Sequence, residues 1–133
     1  MITIQQVNNK KQLKEFVTFP FALYKNHPYW VPPLIADEME NFDTAKNPAF
    51  ESAEAHLFLA YQDQKIVGRI AAIINWNEVN LQHKKKMRFG WWDVIDDIEV
   101  TKALLEKVRE IGLKNNLEHI EGPMGFSNLD KVG

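Results

Sequence analysis

The chain has 133 residues, 45% hydrophobic and 26% charged, with a net charge of −2 and no cysteine. That length buries one core but not two, so a single domain over 1–133 is expected, and the composition excludes disorder and a fibre. The charge balance offers no bulk field to nucleic acid or an anionic membrane, and the lack of cysteine removes disulfides, thiolate zinc sites and cysteine nucleophiles.

His27, His56, His83 and His119 show none of the i,i+4 spacing of a helical metal pair, so no metal is expected. Residues 1–14 contain no apolar signal core, and the longest apolar run, 70–74, is far short of a membrane span. A cytoplasmic location is the default expectation.

Ile2, Ile4 and Val7 predict an opening strand, and Asn8 or Asn9 can cap the helix whose apolar positions are Leu13, Phe16 and Val17. Pro20 lacks a backbone donor and restricts Phe19, so that helix is expected to end near Thr18, with a short second helix over 20–25. The run HPYWVPP at 27–33 cannot be helical throughout, and Leu34, Ile35, Met39 and Phe42 restore a helical stripe. Asn47 and Pro48 mark a turn. Residues 56–61 and 66–74 then read as two strands buried on both faces and joined by a hairpin-length connection at 62–65.

A polar connection is expected over 75–86, followed by a strand over 87–94 with a bulge at Gly90. Trp91 and Trp92 fall on opposite faces of that strand, one in the core and one free to line a cleft. Asp96, with Glu99 three residues on, predicts a helix start, and Val100, Leu104, Leu105, Val108 and Ile111 form the apolar face. Lys102 with Glu106 and Glu110 with Lys114 are candidate i,i+4 ion pairs, and Asn116 suits a left-handed terminus. A further strand is expected over 119–124. The resulting class is α/β, with antiparallel hairpins followed by a parallel strand-helix-strand crossover.

The segments FALYKNHPYWVPP at 21–33, NPAF at 47–50, VGRIAA at 67–72 and GPMGF at 122–126, in this order of elements, resemble a bacterial family of GNAT-like proteins. The resemblance implies a mixed central sheet with helices on both faces and the C-terminal strands missing, a domain truncated after the fifth strand. It also implies an acyl-CoA-dependent N-acyltransferase, with acetyl-CoA or another acyl-CoA as cofactor and a small-molecule amine as acceptor. The remaining C-terminal part of the same protein, or a second copy, would be its partner.

GNAT enzymes hold the cofactor pyrophosphate at the start of the long helix on a glycine-containing Arg/Gln-x-x-Gly-x-Gly/Ala pattern. Aligning Leu104 and Leu105 with that helix's paired leucines puts Asp96, Glu99 and Thr101 at the motif positions. None matches, and Asp96, Asp97 and Glu99 would cap the helix while repelling phosphate. The alternative is a non-catalytic GNAT-like module that binds a ligand or pairs with another domain.

The resemblance places the cleft between the ends of the fourth and fifth strands. Trp92, Asp93 and Val94 are then the expected cofactor-binding residues, and Asp93, His119 and Glu121 the catalytic candidates for general base chemistry. Tyr24, Trp30 and Arg69 are the substrate-binding candidates. Arg69 interrupts an apolar strand, so it requires a carboxylate partner or grips a ligand anion. Lys84, Lys85, Lys86 and Arg88 read as a solvated basic run or, alternatively, a phosphate contact. Neither a Ser-His-Asp spacing nor a nucleophile elbow is present.

Overall fold

A computed structural model describes residues 1–122. Strands β1 (Ile2–Gln6), β2 (Ala53–Gln62), β3 (Lys65–Asn75), β4 (Lys86–Val94) and β5 (His119–Glu121) form one sheet in that order. Neighbours from β1 to β4 are antiparallel, whereas β5 runs parallel to β4. A parallel neighbour requires a crossover, and α4 (Ile98–Lys114) provides it. Helices α1 (Lys10–Leu23) and α2 (Ile35–Asn41) connect β1 to β2. A short α3 (Trp76–Asn80), capped by the Asn75 side chain, occupies part of the connection expected to be irregular.

Strand β3 is buried on both faces, which explains its unbroken apolar sequence. Ile70, Ala72 and Ile74 pack under Val100, Leu104 and Val108 of α4, while Ala71 and Ile73 face Phe16 and Val17 of α1 and Phe42 beyond α2. Helices therefore cover both faces of the sheet. Helix α4 approaches closely because Gly68 has no side chain: a Cβ there would lie 2.9 Å from Val100 Cγ1 and 3.0 Å from Leu104 Cδ1. Between β2 and β3, Asp63 and Gln64 adopt φ of 53° and 66°, the two-residue turn whose twist matches its strands.

Asn9 caps α1 by accepting the Gln12 N–H at 2.8 Å. Contrary to expectation, this helix passes through Pro20 and ends at Leu23, so no separate helix forms at 20–25. The missing proline N–H leaves the Phe16 carbonyl without its helical partner, and Arg69 Nη1 on β3 donates to that oxygen at 2.9 Å. A tertiary contact thus sustains what local propensity would end.

The cap of α4 is Asp97, not Asp96. The chain is extended at Asp97, whose carboxylate accepts the Glu99 N–H at 2.9 Å. Its surface pairs are spaced i,i+3 rather than i,i+4: Lys102 with Glu99, Lys107 with Glu110, and Arg109 with Glu106. Asn116 ends the turn at φ 59°. Pro123 and Met124, expected in the last strand, lie outside the described residues. Among the described residues, no helix is long and apolar enough to cross a membrane.

Candidate functional site

Strand β4 carries the main irregularity of the sheet. Gly90 pairs with Ala71 and Asp93 with Arg69, so both Trp91 and Trp92 stand opposite Ile70. This is a bulge next to the glycine that suggested one, and Trp91 takes φ 45°, a costly conformation for a bulky residue. Trp91 turns toward α2. Its ring meets Phe42 at 4.8 Å, and its Nε1 donates to Glu38 at 2.7 Å. Trp92 turns to the α4 face, edge-on to Phe89 at 5.8 Å, and its buried Nε1 has no hydrogen-bond partner.

Beyond the bulge, Asp93 returns to the α1 face and closes a polar cluster. Arg69 Nε donates to Asp93 Oδ2 at 2.9 Å, and Arg69 Nη2 lies 2.8 Å from the same oxygen. The Tyr24 hydroxyl, just past the end of α1, donates to Asp93 Oδ1 at 2.6 Å. The Trp30 ring lies 5.4 Å from that of Tyr24, and Phe21 meets Trp30 edge-on at 5.2 Å. Burial, the hydrogen bond to Asp93 and the carboxylate charge together push the Tyr24 pKa up to about 12, against an opposing pull from Arg69. Burial pushes the Arg69 guanidinium down, and Asp93 opposes that shift. Tyr24 is thus a neutral donor at physiological pH.

A second group lies where β4 and β5 pair. Lys86, Met87 and Arg88 oppose His119, Ile120 and Glu121. Lys86 Nζ donates to Glu121 at 3.0 Å; this bond and the ammonium charge hold the Glu121 carboxyl below its ordinary range, aided by Arg88 and Lys84. Arg88 is buried and ion-paired through Nη2 with Glu78 of α3, while its Nε and Nη1 have no partner. The solvated reading of the basic run therefore fails at Arg88. Its flanking residues gave no signal of this, since Met87 and Phe89 lie on the other face of the strand and such alternation reads Arg88 as facing solvent.

The structure thus brings together Tyr24, Trp30, Arg69 and Asp93, and sets Trp92 and Val94 on the opposite face of the same strand end. His119 and Glu121 lie apart from that cluster, at the paired end of β4. Sequence reasoning missed the Glu38–Trp91 and Glu78–Arg88 contacts, because nothing local distinguishes a buried helical glutamate from an exposed one. A cleft of ≈ 860 Å³ opens between the start of α1, α2 and β2, with Leu13, Met39, Phe42, Phe50 and Leu57 in its wall. The Phe42 ring connects this cleft to Trp91. Among the described residues no group of His, Asp and Glu is arranged to hold a metal ion.

No family model matches the chain. It is 34% identical over 125 residues to protein YghO of Escherichia coli K12, covering 94% of this chain and 32% of that protein. It is 28% identical over 133 residues to a bacterial ceramide synthase of Caulobacter vibrioides, covering 99% of this chain and 35% of that protein. The chain thus spans about a third of the length of these curated relatives. Among solved structures, it matches a tandem GNAT protein of the clavulanic acid biosynthesis pathway at TM-score 0.68 and 13% identity, over 94% of this chain and 40% of that one. An aminoglycoside N-acetyltransferase in complex with CoA matches at TM-score 0.63 and 17% identity, over 94% and 78% of the two chains. The fold is that of the GNAT acetyltransferases.

Proposed function

We propose that this chain forms part of an acyl-CoA-dependent N-acyltransferase acting on a small-molecule amine. The observation that carries this reading is the fold, in which β4, α4 and a parallel β5 form the crossover of a sheet like that of the GNAT acetyltransferases. Pairing joins Lys86–Arg88 to β5, and Trp92, Asp93 and Val94 form the far end of β4, beyond those pairs. A strand edge offers backbone donors and acceptors to an extended, amide-containing chain, which is what the pantetheine arm of CoA is. Trp92, Asp93 and Val94 would meet that arm, with the Trp92 Nε1–H as an additional donor.

Tyr24, Trp30 and Arg69 form the acceptor wall on the other face, and the cleft beside Phe42 suits an apolar portion of the acceptor. Acyl-CoA, if bound there, would supply a thioester carbonyl for the amine nitrogen to attack, with the CoA thiolate as the leaving group that takes up a proton. Asp93 has both oxygens engaged, by Tyr24 and Arg69. Removal of the amine proton is therefore assigned to His119, reached through water, because Lys86 holds Glu121 in an ion pair and its carboxyl below the ordinary range. The name of the Caulobacter relative supports amide formation, since a ceramide is an N-acylated long-chain amino alcohol.

Isothermal titration with acetyl-CoA and longer acyl-CoAs is the test. Saturable heat is expected, and neither heat nor a thermal shift at millimolar ligand would overturn the reading.

One observation favours a second reading, a non-catalytic GNAT-like module paired with another part of the protein or a second copy. Asp97 occupies the start of α4 as its cap, flanked by Asp96 and Glu99 where a phosphate would bind. On that reading sedimentation finds an assembly. A stable monomer that binds nothing in a metabolite screen removes it.

A further inference from the structure

Strand β1 covers only part of the β2 edge. Its last rung pairs Gln6 with Phe58, and one further bond runs from the Val7 N–H to the Leu57 carbonyl at 2.8 Å before the chain turns into α1 at the Asn9 cap. Strand β2 itself extends back to Ala53. Backbone groups alternate sides along a strand, so the Leu57 bond fixes those that face outward here as the N–H and C=O of Ala55 and Ala53. The Ser52 carbonyl, one step out of phase, points the other way and accepts the Trp76 N–H at 2.8 Å. Among the described residues, the outward groups of Ala53 and Ala55 have no backbone partner. Gly122, where the described residues end, abuts Phe89 of β4, toward the opposite edge of the sheet.

The side chains point to the occupant. Ala55 lines the cleft of ≈ 860 Å³ together with Leu57 and Phe50. Residues directly opposite one another in an antiparallel pair share a face, so a residue pairing with Ala55 sends its side chain against that apolar wall. The next position faces the other side, where Glu54, with its side chain 40% exposed, accepts from Trp76 Nε1 at 2.8 Å and lies 2.6 Å from His56 Nε2. A cation suits that position. Outward N–H and C=O groups, an apolar cleft and a carboxylate in alternation match an extended peptide with alternating apolar and basic side chains. A second copy matches poorly, because antiparallel pairing of two such edges sets Glu54 opposite Glu54.

We propose that Ala53 and Ala55 seat an extended, alternately apolar and basic segment of a partner protein, added beside β2 in line with β1. The proposal stands independently of acyl transfer. Ala55 aligns with Ile73 and Arg88, at the start of β4, whereas Val94 aligns with Gly68 and Ala60 at the other end of the sheet. A cleft of that volume is not filled by one side chain, which leaves its wall at Phe42 to the acceptor.

The test is a titration of the protein with a capped heptapeptide of alternating leucine and lysine, following backbone amides by NMR. The Ala53 and Ala55 signals should shift saturably. N-methylation of the leucine amides, which would face β2, should abolish binding, whereas N-methylation of the lysine amides, which would face away, should preserve it. Ala55→Pro removes an outward donor while sparing the β3 ladder, and should weaken binding about tenfold. Should that variant fail to fold, Ala36→Phe, at an exposed position of α2 in the cleft wall, should weaken binding by filling the cleft. Ala53 and Ala55 amides already protected from exchange in the free protein, no saturable shift, or equal loss with either N-methylation pattern overturns the proposal. So does a dimer in sedimentation that Ala55→Pro or Ala36→Phe dissolves, which assigns the edge to a second copy.

Discussion

Tyr24 and Asp93, 69 residues apart in the chain, meet through a 2.6 Å hydrogen bond in which the phenol donates and the carboxylate accepts. The bond ties the end of α1 to the strand end beside the proposed cleft. It also has a pH signature. The Tyr24 pKa rises from 10.0 to about 12 on folding, so the protonated form is favoured in the native state. Its contribution to stability is complete below pH 10 and is lost as pH climbs toward 12. Urea unfolding across that interval should show a decline that Tyr24→Phe flattens, and absorbance titration should lose its late phenolate in the same variant.

Arg69 serves two structures at once. Arg69→Met removes the cation from Asp93 in a pair whose side chains are only 9% and 15% exposed, and takes the donor from the Phe16 carbonyl. A loss of about 3–5 kcal/mol is expected in denaturant unfolding. Amide exchange should quicken selectively in the last turn of α1, beyond Pro20. Uniform exchange along α1 would show that the helix does not depend on this donor.

Trp91→Phe preserves an aromatic ring against Phe42 and deletes the 2.7 Å bond to Glu38. The expected cost is about 1–3 kcal/mol by chemical unfolding. Glu38→Gln retains an acceptor for the indole and should cost less.

Gly122 lies just past β5, where a Cβ would come within 2.4 Å of the Phe89 carbonyl oxygen. Backbone cannot yield as a side-chain tip does. Gly122→Ala should push the end of β5 from β4 and weaken acyl-CoA binding by about tenfold or more in calorimetry. Gly68→Ala is the comparison. It crowds side chains of α4 and β4 instead, and should lower stability by about 1–3 kcal/mol while leaving cofactor affinity near that of the parent.

Much of this fold was legible because periodicity reports burial directly. The two-sided burial of β3, the apolar face of α4 and the opposite directions of Trp91 and Trp92 all follow from pattern and from the glycine at position 90. Pro20 misled because its effect on a helix depends on whether another residue takes the abandoned carbonyl. Arg69 lies 53 residues from Phe16, beyond any local window. The same holds for the site. Arg69 was recognisable as a charge needing a partner, but that its partner would be Asp93, shared with Tyr24, depends on strand register. Register in turn depended on the bulge.

That bulge works as a phase shifter. Gly90 and Trp91 both belong to the α1 face, so the alternation of β4 restarts one step late, and Asp93 arrives on the same side as Arg69 while Val94 meets α4. Remove one residue from 90–92 and the identities of all later side chains survive, but their addresses invert: the carboxylate would be delivered under α4 and the valine to the guanidinium. The polar cluster is therefore encoded by a count of residues as much as by their kinds. A single-residue deletion there should damage the protein more than any substitution in the same three positions.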